Sequence, residues 1–163
     1  MLIIELNGGL GNMLFEIAST YSLSKIMGHS FAIAYIPEPP PQHSKINYKN
    51  NILKNFCSYV LTNKIPIHNF ICDESHLINL KQLGNKHLNI VIRGYLQMEM
   101  YIRPHRLEII NLLNFDNSIL EKYPNLNNSF FIHIRRGDYV KNSFHELNLD
   151  NYYKTSHVLL TPK

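Results

Sequence analysis

Residues 1–36 place a strand, a glycine turn, a helix and a second strand in immediate succession, and that order leaves few folds open. Leu2-Ile3-Ile4-Glu5-Leu6 is short, apolar and β-branched, as a strand buried on both faces would be. Asn7-Gly8-Gly9-Leu10-Gly11-Asn12 follows it directly. From Met13 to Met27 the apolar period lengthens to that of a helix. Leu14, Ile17, Ala18, Tyr21 and Lys25 share one face, with Phe15 and Ile26 nearby. Lys25 lies in the last turn, where a cation suits the helix dipole. Gly28 is placed to stop the helix, since glycine enters the left-handed region without strain. Ser30 to Ile36 reads as the second strand, and the whole is a βαβ opening.

The remainder continues the alternation. Pro37-Glu38-Pro39-Pro40-Pro41 is a loop, because proline fixes φ and removes ladder donors. Tyr48 to Leu61 reads as a helix with Ile52, Leu53, Phe56 and Val60 inward, and residues 62–88 show no clear period. Asn89-Ile90-Val91-Ile92-Arg93 is another buried strand, closed by Gly94. Pro104 belongs in the first turn of a helix running to Leu113, and Ser118 to Lys122 forms a short one. The polar stretch Asn125 to Asn128 marks a domain boundary, giving domains 1–127 and 128–163. Ser129 to Ile134 then reads as a strand and Leu149 to Leu160 as a last helix. The expected fold class is α/β with a mostly parallel sheet.

Composition narrows the function classes. With 45% hydrophobic and 17% charged residues among 163, the chain can pack a core. A net charge of +4 suits an anionic small molecule and is too small and scattered for nucleic acid. Two cysteines, Cys57 and Cys72, are too few for a disulfide scaffold. Cys72 and His76 have no second pair to complete a metal site, so none is expected. No secretory signal and no apolar run of membrane-spanning length is visible, which points to a cytoplasmic protein, at most peripheral to a membrane.

Two stretches carry chemistry. Around Gly8, Gly9, Gly11 and Asn12, a strand runs through glycines into a helix, which brings bare N–H groups to a helix N-terminus. Such a turn can hold an anion or a sugar, or can exist for packing alone. It is neither the dinucleotide G-x-G-x-x-G pattern nor a P-loop. The second stretch is Phe131-Ile132-His133-Ile134-Arg135-Arg136-Gly137-Asp138-Tyr139. An apolar strand ends there in two arginines, at the edge where open α/β sheets take ligands. His133 and Arg135 share one face. Guanidinium forks in such a place call for a phosphate-like anion. The competing reading pairs Asp138 with one arginine and leaves the other in solvent.

Three motifs in order resemble the α-1,2-fucosyltransferase family of inverting glycosyltransferases. Gly8-Gly9-Leu10-Gly11-Asn12-Met13-Leu14-Phe15 is similar to its G-G-L-G-N-Q-L-F, Gly94-Tyr95-Leu96-Gln97 with Tyr101 to its G-Y-x-Q…Y-F, and His133 to Val140 to its H-x-R-R-G-D-Y-V, while Asn151-Tyr152-Tyr153 resembles the D-Y-Y that follows. The resemblance implies two facing Rossmann-like domains of the GT-B type. Residues 1–127 would be the acceptor-side domain, and 128–163 the first strand and helix of an incomplete donor domain. It implies GDP-fucose as donor, a galactose-containing glycan as acceptor and no metal or other cofactor. Arg135 would act on the departing diphosphate as the catalytic residue. Arg136, His133 and Asp138 would line the donor pocket, and Gly8, Gly9, Gly11 and Asn12 would close the site from the first domain. For the general base, His133, Glu5 and Asp138 have suitable chemistry and no spacing singles one out.

Two departures accompany the likeness. Met13 stands where the family has glutamine, which would remove an amide beside the cleft. The family continues through a longer donor domain with a tryptophan pair, whereas this chain has no Trp. A lone strand and helix cannot form a stable nucleotide-binding domain, so a fragment, a broken reading frame or completion by a partner chain is expected. The alternatives are an inactive remnant or sugar-binding module of the same family, and a fucosyltransferase of another linkage.

Overall fold

The computed structural model describes residues 1–38, 47–71, 87–115 and 118–123. The chain divides into two compact units, Met1–Ile119 and Leu120–Lys163, and the described residues belong almost wholly to the first. The expected boundary at 125–128, the strand at 129–134 and the helix at 149–160 lie outside the described residues.

Four strands form one parallel sheet: β1 (Leu2–Ile4), β2 (Phe31–Ile33), β3 (Asn69–Ile71) and β4 (Ile90–Ile92), in the order β2-β1-β4-β3. Ile4 is level with Ile33 on one side and with Ile92 on the other. The sheet is therefore α/β and parallel, as the alternating pattern predicts. The centre is β1 and β4, which are 86 or more residues apart in the chain. Strand alternation sorts the side chains. Leu2, Ile4, Ile33, Ile90 and Ile92 enter the main core, while Ile3, Ala32 and Val91 form a smaller cluster with Ala34, Leu61 and Ile65 on the other face. Burial on both faces explains why these strands read as continuous apolar runs.

The long helix α1 spans Leu10–Met27, starting three residues before the expected Met13. Gly28 ends it with φ +68°, and the N–H groups of Gly28 and His29 reach the carbonyls of Lys25 and Ser24. Its buried set is wider than one apolar stripe. Glu16, Ser19, Thr20, Ser22 and Ser24 are buried beside Met13, Ile17 and Tyr21, whereas Phe15 and Ile26 are exposed. The small hydroxyl residues let the segment after β4 approach closely. Ser19 Oγ donates to the Leu96 carbonyl at 2.9 Å, and Ser22 Oγ meets His105 Nδ1 at 2.9 Å.

After β2 the expected helix at 48–61 appears as turns followed by a 3₁₀ helix, Lys54–Tyr59. Its N–H groups reach back three residues, from Phe56 to Leu53 and from Val60 to Cys57. The asparagines at 50, 51 and 55 weaken an α-helix there. Leu53 and Phe56 are nevertheless fully buried, as the spacing predicts. Strand β3 was hidden in the unpatterned stretch, because three residues at a sheet edge carry too little period to see. After β4 come a single turn, α2 (Glu99–Ile102), a 3₁₀ turn at Arg103–His105 containing Pro104, and α3 (Arg106–Leu112). The short α4 (Ser118–Lys122) matches its predicted span. None of the described helices is long and apolar enough to cross a membrane.

Candidate functional site

The carboxyl ends of β1 and β4 are neighbours, and the two loops that leave them build the site. Glu5 follows β1 and Arg93 follows β4. Arg93 donates from Nε to Glu5 Oε2 at 2.5 Å and from Nη2 to Oε1 at 3.0 Å. This two-pronged pair makes Glu5 the counter-ion of Arg93 and ties the two loops at their roots.

The glycine turn sits above that pair. Asn7 Oδ1 accepts the N–H of Gly8 at 2.8 Å. Gly8 has φ +75°, and a Cβ there would lie 2.5 Å from Asn12 Nδ2. Glycine is required at this position twice over, by backbone angle and by space. Gly9 and Gly11 differ. Gly9 has φ −81°, and a Cβ on either glycine would meet nothing within 4 Å among the described residues. Packing within the described domain does not demand glycine at 9 or 11. Gly9 is also the N-cap of α1, with no side chain capping the first turn. The positive end of the helix is thus bare, with room above it for a close approach.

The loop after β4 supplies the opposite wall. Gly94 has φ +137° and Leu96 has φ +49°, a left-handed angle that non-glycine residues seldom adopt. Leu96 is fully buried, and Ser19 of α1 holds its carbonyl, so the strain is fixed by packing. This bend projects Gln97 toward the turn, where Nε2 donates to Asn12 Oδ1 at 2.8 Å. Tyr95 stands beside it, 47% exposed. Two of the three motifs picked out from the sequence therefore touch directly, through Asn12 and Gln97.

Beneath the turn lies Glu16, fully buried. Its Oε2 accepts the Asn7 N–H at 2.9 Å, while Oε1 has no partner among the described residues. Burial pushes its carboxyl up to about 7, against the smaller downward pull of the Asn7 N–H. Thr20, one turn further along α1, has the other unpartnered buried side-chain oxygen.

Gly8, Gly9, Gly11 and Asn12 lie between the carboxyl end of β1 and the first turn of α1. His133, Arg135, Arg136 and Asp138 lie outside the described residues. Met13, where the family has glutamine, carries no amide to the turn. Its side chain is buried in the main core, so position 13 is a packing position, and Gln97 provides the amide beside the turn. Sequence reasoning did not single out Arg93, Leu96 or Glu16. A lone carboxylate among the apolar and hydroxyl residues of α1 was the available signal for Glu16. Nothing in the residue type announces the backbone of Leu96. Among the described residues no group of histidine, cysteine, aspartate or glutamate side chains could hold a metal ion.

Fold and site together define a class: a parallel α/β domain that presents a glycine turn and an uncapped helix start at the carboxyl edge of its sheet. Within that class, the chain is similar to the alpha-1,2-colitosyltransferase of Escherichia coli, with 27% identity over an alignment of 179 residues covering 94% of this chain. The alignment spans 61% of that relative's length. No family profile matches the chain, and no solved structure matches it.

Proposed function

We propose that the chain belongs to a glycosyltransferase that moves L-fucose from GDP-fucose to a galactoside hydroxyl in α-1,2 linkage, with inversion. The observation that carries this reading is the contact between Asn12 and Gln97, which joins two of the three family-like motifs at one ligand-binding edge. Glycines at 9 and 11 that packing does not require, above a bare helix start, support a partner that must come close. The likeness to an alpha-1,2-colitosyltransferase supports glycosyl transfer and the linkage.

In the proposed reaction the acceptor hydroxyl gives its proton to a general base as its oxygen bonds the anomeric carbon, and the bond from that carbon to the diphosphate breaks so that GDP departs. Arg135 stabilises the charge that develops on the leaving diphosphate, and Arg136, His133 and Asp138 line the donor pocket. The protein's own cations neutralise that charge, and no metal is called for. The same relative favours a second reading, in which the donor carries colitose instead of fucose.

The test is a transfer assay on the full-length protein with GDP-fucose and GDP-colitose and a galactoside acceptor, with product linkage assigned by NMR. An α-1,2-linked product is expected, and the preferred donor decides between the two readings. Donor hydrolysis without transfer, or no use of either donor, overturns both. Arg135→Lys should lower kcat by a factor of about 100 to 1000, because an ammonium cannot reproduce the fork. Full activity in that variant removes Arg135 from the role. Calorimetry with GDP separates a transferase from a module that keeps only the first-domain site: the module shows no heat of binding.

A further inference from the structure

Three hydrogen bonds and one packing contact, that of the Asn12 amide over Gly8, lead from the rim of the site to the interior of α1. Gln97 donates to Asn12, whose amide roofs Gly8; Gly8 donates to Asn7 Oδ1; and Asn7 donates its N–H to Glu16. The outer end is exposed and the inner end is fully buried. A carboxylate in that position has one hydrogen bond and, among the described residues, a second oxygen with none, which cannot support a charge away from water. The neutral acid can remain there. Ionisation requires water to reach Oε1, and the turn that covers it must then loosen.

We propose that Glu16 is a positioning residue of the glycine turn, which it clamps through Asn7 as the neutral acid and releases when it ionises. Among the described residues, titratable groups of the elements packed on α1 have other partners: Glu99 of α2 pairs with Arg103, His105 meets Ser22, and the Met1 amino group donates to the Leu88 carbonyl. Glu5 at the end of β1 and Arg93 at the end of β4 hold each other, and Lys25, farther along α1, holds Glu108 of α3. Among the described residues, burial and the Asn7 N–H are what act on the Glu16 proton, and they leave it titrating near neutral pH. Thr20, the other unpartnered oxygen on this stripe, carries no charge to oppose the acid. The clamp rests on these contacts and not on the function proposed above.

The test reads the turn without any ligand. In the full chain labelled with ¹⁵N and ¹³C, the Glu16 side-chain carboxyl and the amides of Asn7, Gly8 and Gly9 are followed from pH 4 to pH 9. All four should move together with one midpoint near 7, and amide exchange at Gly8 and Gly9 should quicken above it, beyond the ordinary tenfold per pH unit. Glu16→Gln keeps an acceptor for Asn7 and cannot ionise, so its amides should stay in the low-pH position throughout. A Glu16 carboxyl titrating in the ordinary range near 4.5 overturns the proposal. So do turn amides that stay still while the carboxyl titrates, or that move identically in Glu16→Gln. The wild-type carboxyl and the wild-type turn amides, read together, decide the matter even where the variant does not fold.

Discussion

At its C-terminal end, α1 leaves little unsatisfied. Gly28 closes the helix in the left-handed region with two backbone bonds, Ser24 bonds the Tyr21 carbonyl, and Ser22 meets His105. Tyr21 donates to Glu108 at 2.5 Å, Lys25 pairs with the same carboxylate at 3.0 Å, and the lysine also lies over the Tyr21 ring. Burial, then the bond to Glu108, pushes the Tyr21 hydroxyl up to about 12, and its bonds with Tyr21 and Lys25 draw Glu108 below the usual range. Rings of Phe31, Phe56 and Tyr59 meet Tyr21 edge-on, and Tyr59 packs tilted against Phe31 and Phe56. The N-terminal end has no side-chain cap, a glycine at φ +75° before it, and in Glu16 a buried carboxyl oxygen without a partner among the described residues. One helix thus has an end built for stability and an end that gives stability up. Such local deficits are tolerated where a site needs bare backbone and strained geometry.

That contrast can be broken by measurement. The largest effect should be the pH dependence of stability conferred by Glu16. Its carboxyl is raised in the folded state from 4.5 to about 7. A raised pKa gives stability that is complete below the unfolded value and is lost as pH climbs through the folded value. Wild type should therefore lose about 3 kcal/mol relative to Glu16→Gln between pH 4 and pH 9, most of it between 4.5 and 7. Urea midpoints of the two proteins across that range measure it, and a constant difference would show that the site end of α1 carries no buried acid.

Next come the two glycines at opposite ends. Gly28→Ala and Gly8→Ala each force a side chain into the left-handed region, at a cost of about 1–2 kcal/mol. Gly8→Ala should also displace Asn12 and cut its bond to Gln97, abolishing ligand binding, whereas Gly28→Ala should leave binding unchanged at a lowered melting temperature. Equal losses of binding in both would erase the distinction between the ends. The smallest effect belongs to Glu108→Gln. Lys25 and Glu108 are 46% and 45% exposed, and solvent screening leaves such a pair little to contribute. Its melting curve should nearly overlay wild type, with the Tyr21 hydroxyl titrating lower once its charged acceptor is gone.

Much of the first domain was legible because its signals are local. The apolar run Leu2–Ile4, the glycine stop at 28 and the run Ile90–Ile92 each declare themselves within a few residues. Signals failed where local preference was weak. Tyr48 to Leu61 has helical spacing but asparagine-rich turns, and it settled as 3₁₀ around the buried Leu53 and Phe56. Asn69–Ile71 is a strand only because β4 offers it an edge. At the site, Gly8 was readable from type and place, since few other residues take its backbone angle. Gln97 as the partner of Asn12 was not, because 85 residues separate them.

By itself the sequence determined the βαβ opening, the parallel α/β class and the glycine turn at the head of α1, since periodicity and turn stereochemistry act between near neighbours. Tertiary structure alone decided that β4 lies beside β1, that Arg93 locks Glu5, that Met13 belongs to the core and that Glu16 is sealed from water. Strand order and the burial of a charge depend on segments that meet only after the chain has closed on itself, and no short stretch of residues specifies that meeting.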